Sequence, residues 1–380
     1  MTQVANAVID LPVGDSAADP GADVASSHAV LIGLDWGTTS LRSYLFDATG
    51  RIMARAALPW GVMRLPAHDS RGSAFDLAFD AACGAWLAKQ ADLPVIACGM
   101  VGSAQGWIEV PYVEGQADAA VLAQAMVAVP TSQGCPLHIV PGVLERGALP
   151  NVMRGEETQI VGVSLSRSRS ESAINGVDVA PTLIGLPGTH AKWALSEDGR
   201  IGHFDTFMTG EVYAILRDHS ILGRTMAPSR DADTAQVAFL RGIAVARKES
   251  ETSLLATIFS VRTMGLIGEL EAEQQGDYLS GLLIGNELLS LEKSLFRQDG
   301  LLLRQRSIVL SGEAGLCERY RTALAAWGCA SVDFVRDATE RGLWHIAVHA
   351  GLVAAAGIDN PGADALSAAP APTHNTESVR

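Results

Sequence analysis

Paired cysteines are missing from this sequence. Its five cysteines, Cys83, Cys98, Cys135, Cys317 and Cys329, are odd in number, and no two have C-x-x-C spacing. That disfavours a disulfide framework and a structural zinc site, and a reducing compartment, the cytoplasm, is expected. Basic residues are scarce too. Lys and Arg number 28 against 42 Asp and Glu, a net charge of −14. Such a chain is a poor partner for nucleic acid and repels anionic small molecules at long range. Any anion site must therefore be local, built from backbone amides, a metal ion and a few cations. No apolar run is long and clean enough to cross a bilayer, so no membrane partner is expected. The N-terminus lacks a basic region followed by an apolar run, so no signal peptide is expected.

What is present suits a globular enzyme. The chain has 380 residues, 48% of them hydrophobic, which predicts two domains. Residues 1–28 and 361–380 are rich in Ala, Asp, Gly, Ser and Pro and read as a disordered leader and tail. Between them, short apolar runs at 94–98, 137–140, 182–186 and 307–310 each meet a glycine-containing turn. Helical patterns at 74–90, 211–218, 234–249, 277–294 and 318–327 alternate with them. Strands ending in glycine loops, separated by helices, predict an α/β fold with sites at the strand ends. The polar run from Ser166 to Ser172 reads as a surface loop between domains at 29–165 and 180–355.

The stretch from Leu31 to Phe46 is the most informative. An apolar strand stops at Asp35, a Gly37-Thr38-Thr39-Ser40 turn follows, and a second strand leaves it. Gly37 admits close approach of an anion, and the amides and hydroxyls of Thr38 and Thr39 can point at phosphate oxygens. Asp35 at the strand end can hold magnesium through water. The plainer reading is a tight turn capped by Asp35. The same outline recurs at 182–207, where Leu-Ile-Gly-Leu-Pro-Gly-Thr-His precedes Ala-Lys-Trp. Two such hairpins facing each other would clamp a nucleotide from both sides.

Further motifs stand in order between and after these hairpins. They are Cys98-Gly-Met-Val-Gly-Ser-Ala-Gln-Gly-Trp107, Arg154-Gly-Glu-Glu-Thr-Gln159, Phe207-Met-Thr-Gly-Glu211 and Ser311-Gly-Glu-Ala-Gly315. Phosphoryl transfer to an alcohol needs a carboxylate to orient the hydroxyl and accept its proton late, so Glu156 or Glu157 is a candidate base. Capping of a helix N-terminus is the alternative for both. The Gly99–Trp107 loop offers Gly99, Met100, Ser103, Gln105 and Trp107 to a hydroxylated acceptor; for Trp107 core packing is equally expected.

The ordered set resembles the 2-dehydro-3-deoxygalactonokinase family, over nearly all of 29–355. The resemblance implies two ribonuclease H-like domains flanking a nucleotide cleft, the actin-like ATPase fold. It implies transfer from ATP, with Mg2+, to the 6-hydroxyl of 2-dehydro-3-deoxy-D-galactonate in galactonate breakdown. It makes Gly188, Thr189 and Lys192 the second phosphate loop, leaves His190 facing phosphate or substrate, and makes Ser311, Gly312 and Gly315 an adenosine loop. It makes Glu211 a binder of sugar hydroxyls, and Arg64 is a candidate for the acceptor carboxylate. A similar Gly-x-Glu-Glu in exopolyphosphatases keeps a phosphohydrolase open as a rival, beside a kinase for another sugar acid and a non-enzymatic nucleotide switch. The sequence leaves the oligomeric state open, a homodimer among the options.

Overall fold

The computed structural model describes residues 28–171 and 181–354, with side chains to 164 in the first of these segments. The expected tail and all but the last residue of the expected leader lie outside the described residues.

In chain order the strands are β1 (Ala29–Trp36), β2 (Leu41–Asp47), β3 (Ile52–Leu58), β4 (Val95–Gly99), β5 (Val113–Glu114), β6 (Val127–Pro130) and β7 (Pro136–Ile139). They continue with β8 (Val143–Glu145), β9 (Asn151–Met153), β10 (Thr182–Leu186), β11 (Ala191–Glu197), β12 (Arg200–Phe207), β13 (Ile308–Leu310) and β14 (Val332–Phe334). One sheet has the order β3-β2-β1-β4-β7-β6, a second β12-β11-β10-β13-β14, and a small third β5-β8-β9. The echo in the sequence is an echo in topology. β1 runs antiparallel to β2 and parallel to β4; β10 runs antiparallel to β11 and parallel to β13.

The apolar run of β1 reflects burial on both faces, as for any central strand with a parallel neighbour. Leu31 packs into one core with Phe46 and Trp344, while Ile32, Leu34 and Trp36 enter another with Phe75 and Phe79.

Two helices join the sheets. Helix Glu156–Glu171 leaves the N-terminal sheet and packs on β10, β11 and β12. Helix Ala338–His349 follows the C-terminal sheet and returns to pack on β1 and β4. Each therefore lies on the sheet opposite to the one that a division at 165–180 assigns it. The two cross in backbone contact. A Cβ on Gly162 would stand 1.9 Å from the carbonyl oxygen of Ala338, and one on Gly342 would stand 1.9 Å from that of Thr158.

The helix Glu156–Glu171 corrects the loop expected from Ser166 as far as Glu171; Ser172 lies outside the described residues. Serine and arginine suggest a loop, but the helix continues through them from a nucleus whose Ile160, Val161 and Val163 are buried. The helix expected at 74–90 is interrupted, running from Arg71 to Phe79 and then through a wide π turn, Asp80–Gly84. The other expected helices appear as Thr209–His219, Ala232–Lys248, Gln275–Asp299 and Ala314–Trp327.

Candidate active site

β1 ends at Trp36, and the Gly37–Ser40 turn is closed by the Gly37 N–H donating to the Ser40 carbonyl at 2.9 Å. Thr38 and Thr39 are exposed. The turn is backed by the segment after β3. There the N–H groups of Val62 and Met63 donate to the carbonyls of Gly37 and Thr38, both at 3.0 Å. Gly61 is required by this packing, because a Cβ there would stand 2.3 Å from the Thr39 nitrogen. Sequence reasoning missed Gly61; the Trp-Gly pair after β3 was the available signal. Arg64 is exposed on this same backing segment. Arg71, also missed, ties that segment to the Gly99–Trp107 loop through hydrogen bonds to the carbonyls of Val62 and Gln105.

The Asp35 side chain is 22% exposed and accepts from Arg42 Nη1 at 3.2 Å. Burial pushes its carboxyl above the usual range, and Arg42 offsets part of that. No cluster of three or more candidate metal ligands occurs among the described residues. A single carboxylate at a strand end fits magnesium, which keeps several waters and takes its other oxygens from nucleotide phosphates.

The second turn, Pro187–His190, joins β10 to β11. A Cβ on Gly188 would meet nothing within 4 Å, so packing does not demand the glycine. Gly210 lies under this turn: a Cβ there would stand 2.4 Å from the Gly188 carbonyl oxygen. The Glu211 N–H donates to the Thr189 carbonyl at 3.0 Å. The Glu211 carboxylate meets His190 Nε2 at 2.5 Å, so it lies beside the Pro187–His190 turn. Lys192 is buried on β11 and donates to Thr206 Oγ1 at 2.9 Å. Burial lowers its pKa, and Glu156 opposes that fall.

The two carboxylates of the Gly-Glu-Glu motif diverge. Gly155 has φ +106° and turns the chain into the helix. Glu157 is completely buried; it accepts from the Gly155 N–H at 2.7 Å and from Thr158 Oγ1 at 3.0 Å. Burial, with the Glu156 charge beside it, pushes its pKa up to about 7. Glu156 is partly exposed and accepts from the Arg154 N–H at 3.0 Å. Burial raises its pKa; Lys192 is the strongest opposing influence, and His190 also opposes it. Glu156 thus shares its field with residues of the β10–β11 hairpin of the other sheet.

The loop expected to bind the acceptor begins at Gly99, with φ +92° and a would-be Cβ 2.8 Å from the Trp36 carbonyl oxygen. A 3-10 turn, Met100–Gly102, follows, and Ser103 Oγ donates back to the Met100 carbonyl at 2.7 Å. Gln105 is exposed. Trp107 stacks on Phe75 with ring centroids 5.7 Å apart and also contacts Trp36 and Phe79. Its ring is thus held by the core of the N-terminal lobe. Arg154 anchors the loop's far end: its Nη2 donates to the Val110 carbonyl at 2.7 Å, and its guanidinium lies 4.3 Å from the Tyr112 ring centroid. Its Nε and Nη1 are buried without a partner among the described residues.

The Ser311–Gly315 loop touches the second turn as well. The Ser311 N–H donates to the Gly185 carbonyl at 3.0 Å. Gly312 has φ +147°, and a Cβ on it would stand 3.2 Å from the Pro187 carbonyl oxygen. Glu313 caps the following helix through the N–H groups of Gly315 and Leu316.

Comparison with known proteins gives the family. A family model described as 2-keto-3-deoxy-galactonokinase matches residues 35–346. The 2-dehydro-3-deoxygalactonokinase of Escherichia coli (strain K12) is 32% identical over 300 residues, 78% of this chain and 90% of that protein. A probable 2-dehydro-3-deoxygalactonokinase of Rhizobium meliloti (strain 1021) is 34% identical over 326 residues, 85% of this chain and 95% of that protein. A crystal structure of a Sinorhizobium meliloti protein ascribed the same activity superposes with a TM-score of 0.71 at 30% identity, covering 84% of this chain and 98% of that one. The fold is a two-domain α/β architecture shared with that protein. This chain belongs to the 2-keto-3-deoxy-galactonokinase family.

Proposed function

We propose that this protein transfers the γ-phosphoryl group of ATP to the 6-hydroxyl of 2-dehydro-3-deoxy-D-galactonate, with Glu156 as the base. The observation that carries this reading is that Glu156, held by the Arg154 N–H at the start of its helix, is near enough to Lys192 and His190 of the second hairpin to feel their charges. A carboxylate facing a phosphate hairpin can orient an alcohol and accept its proton as the new P–O bond forms. Glu157, with no exposed surface, supports the backbone beneath it.

The remaining parts take roles by position. Neither Gly37 nor Gly188 is crowded where a Cβ would sit, which leaves room for phosphate to approach the backbone. Thr38, Thr39 and Thr189 add hydroxyls, Lys192 adds charge, and Asp35 would hold a magnesium ion through water. That ion, when bound, neutralises charge between the phosphates. Ser311, Gly312 and Gly315 would flank adenosine. Gly99, Met100, Ser103, Gln105 and Trp107 would wall the acceptor, with Arg64 and Glu211 at its edges. Closure of the lobes would exclude water as a competing acceptor. Five free cysteines, all buried, suit a cytoplasmic enzyme.

The test is incubation with ATP and magnesium against a panel of 2-keto-3-deoxy sugar acids, measuring sugar phosphate and free phosphate. The reading expects sugar phosphate from the galactonate derivative and little phosphate without it. Rapid phosphate release without acceptor would make the protein a phosphohydrolase. Preference for another acid would change the substrate.

A further inference from the structure

We infer that His190 and Glu211 form a catalytic dyad, in which His190 hydrogen-bonds the phosphoryl group in flight and Glu211 fixes its ring. This inference rests on the kinase reading above.

His190 is the last residue of the second phosphate turn, and its side chain is 49% exposed. Glu211 belongs to the first turn of helix Thr209–His219, and its side chain is 38% exposed. The two meet at 2.5 Å through Nε2 and Oε2. The pair is not a loose surface contact, because both backbones are fixed around it. The Glu211 N–H is bonded to the Thr189 carbonyl, and Gly210 lets the helix start lie directly on Gly188. The helix start is fastened in turn: Thr209 Oγ1 donates to the buried Glu287 carboxylate, which also accepts from Trp193 Nε1 at 2.7 Å and Tyr320 OH at 2.8 Å. A carboxylate on one ring nitrogen orients the imidazole and leaves the other free for a ligand. Nδ1 carries no hydrogen bond to the described residues.

The chemistry asks for such a group. The transferred phosphoryl spreads negative charge over its equatorial oxygens, and catalysis is mostly placement of donors and charge there. The chain has a net charge of −14 and few cations to spare. Lys192 is one, already bonded to Thr206. His190, itself part of the turn that would carry the γ-phosphate, is near enough to Glu156 for its charge to be felt there. As the imidazolium, with its Nε2–H given to Glu211, it donates from Nδ1–H and moves no proton, so the transfer itself stays between ATP and the acceptor hydroxyl.

The test is a double-mutant cycle on the intact protein with ATP, magnesium and the preferred sugar acid. His190→Ala is expected to lower kcat about 100-fold, the scale of one transition-state donor, with KM for ATP within threefold and the thermal midpoint unchanged. Glu211→Ala is expected to lower kcat about tenfold, and the double variant to be no slower than His190→Ala. The proposal is overturned if His190→Ala keeps kcat within threefold of wild type, or if the double variant shows the full product of the two losses. A wild-type protein that phosphorylates no sugar acid sinks the kinase reading instead, so the two failures are distinct.

Discussion

The backbones of Gly155 and Gly99 are in contact: a Cβ on Gly155 would stand 3.2 Å from the Gly99 Cα. Each has positive φ, +106° and +92°, so both are glycines by conformation as well as by packing. The contact joins the loop that presents Glu156 to the loop assigned to the acceptor. Gly155→Ala forces strain at the φ of the turn and pushes the loops apart. We expect a loss of about 1–3 kcal/mol in stability. We also expect a fall in kcat/KM for the sugar acid larger than that for ATP. Thermal unfolding and two-substrate kinetics check both; wild-type values in both would remove the contact from the mechanism.

Glu156 and Glu157 are separable by their burial. Glu156→Gln keeps the shape and the bond from the Arg154 N–H but removes the base, and we expect kcat to fall at least ~100-fold. Glu157→Gln is expected to keep most of its activity. Equal losses in the two variants, measured at saturating substrates, would contradict the assignment.

Glu157 also sets a pH dependence of stability. Its pKa is raised in the folded protein to about 7 from an ordinary 4.5. The folded state therefore holds the proton more tightly than the unfolded state. The stability this contributes is fully present below the unfolded value and is lost as pH rises through the folded one. Wild type should lose on the order of 2–3 kcal/mol between about pH 4.5 and 7.5 from this group. Denaturant unfolding across that range should show a flatter slope in Glu157→Gln. An unchanged slope would mean that the carboxylate is ionised throughout.

Asp35→Asn tests the metal role. The amide can still accept from Arg42, so the fold should persist with a shift of only a few degrees in the midpoint. Turnover should collapse by about 100-fold or more even at high magnesium. Full activity at ordinary magnesium would refute the role.

Gly342→Ala tests the helix crossing. Its Cβ would lie 1.9 Å from the Thr158 carbonyl oxygen, next to Glu157. Backbone cannot yield as a flexible side chain can, so we expect roughly 3 kcal/mol of destabilisation, at the upper end for overpacking. Thermal unfolding reads it directly. A neutral result would mean that the helices slide easily past each other.

Local pattern made the strands and turns legible. The apolar run of β1 ending at Asp35, and its repeat in β10, encode strand position, turn chemistry and the echo between lobes, because strand burial and glycine turns leave a short-range signature. The ordered motifs carried the family. What stayed hidden depends on contacts between distant residues. The helix from Glu156 runs on through serines and arginines because its first half is buried, which no window of the sequence contains. The exchange of helices between sheets, the Gly162–Gly342 crossing and the backing of the first turn by Gly61 are likewise long-range. The sequence by itself determined which residues could bind phosphate. Only the tertiary structure decided that Glu156 keeps some exposure within the electrostatic reach of Lys192 and His190 while Glu157 is sealed away, because the direction of a carboxylate is set by packing and burial rather than by its place in the chain.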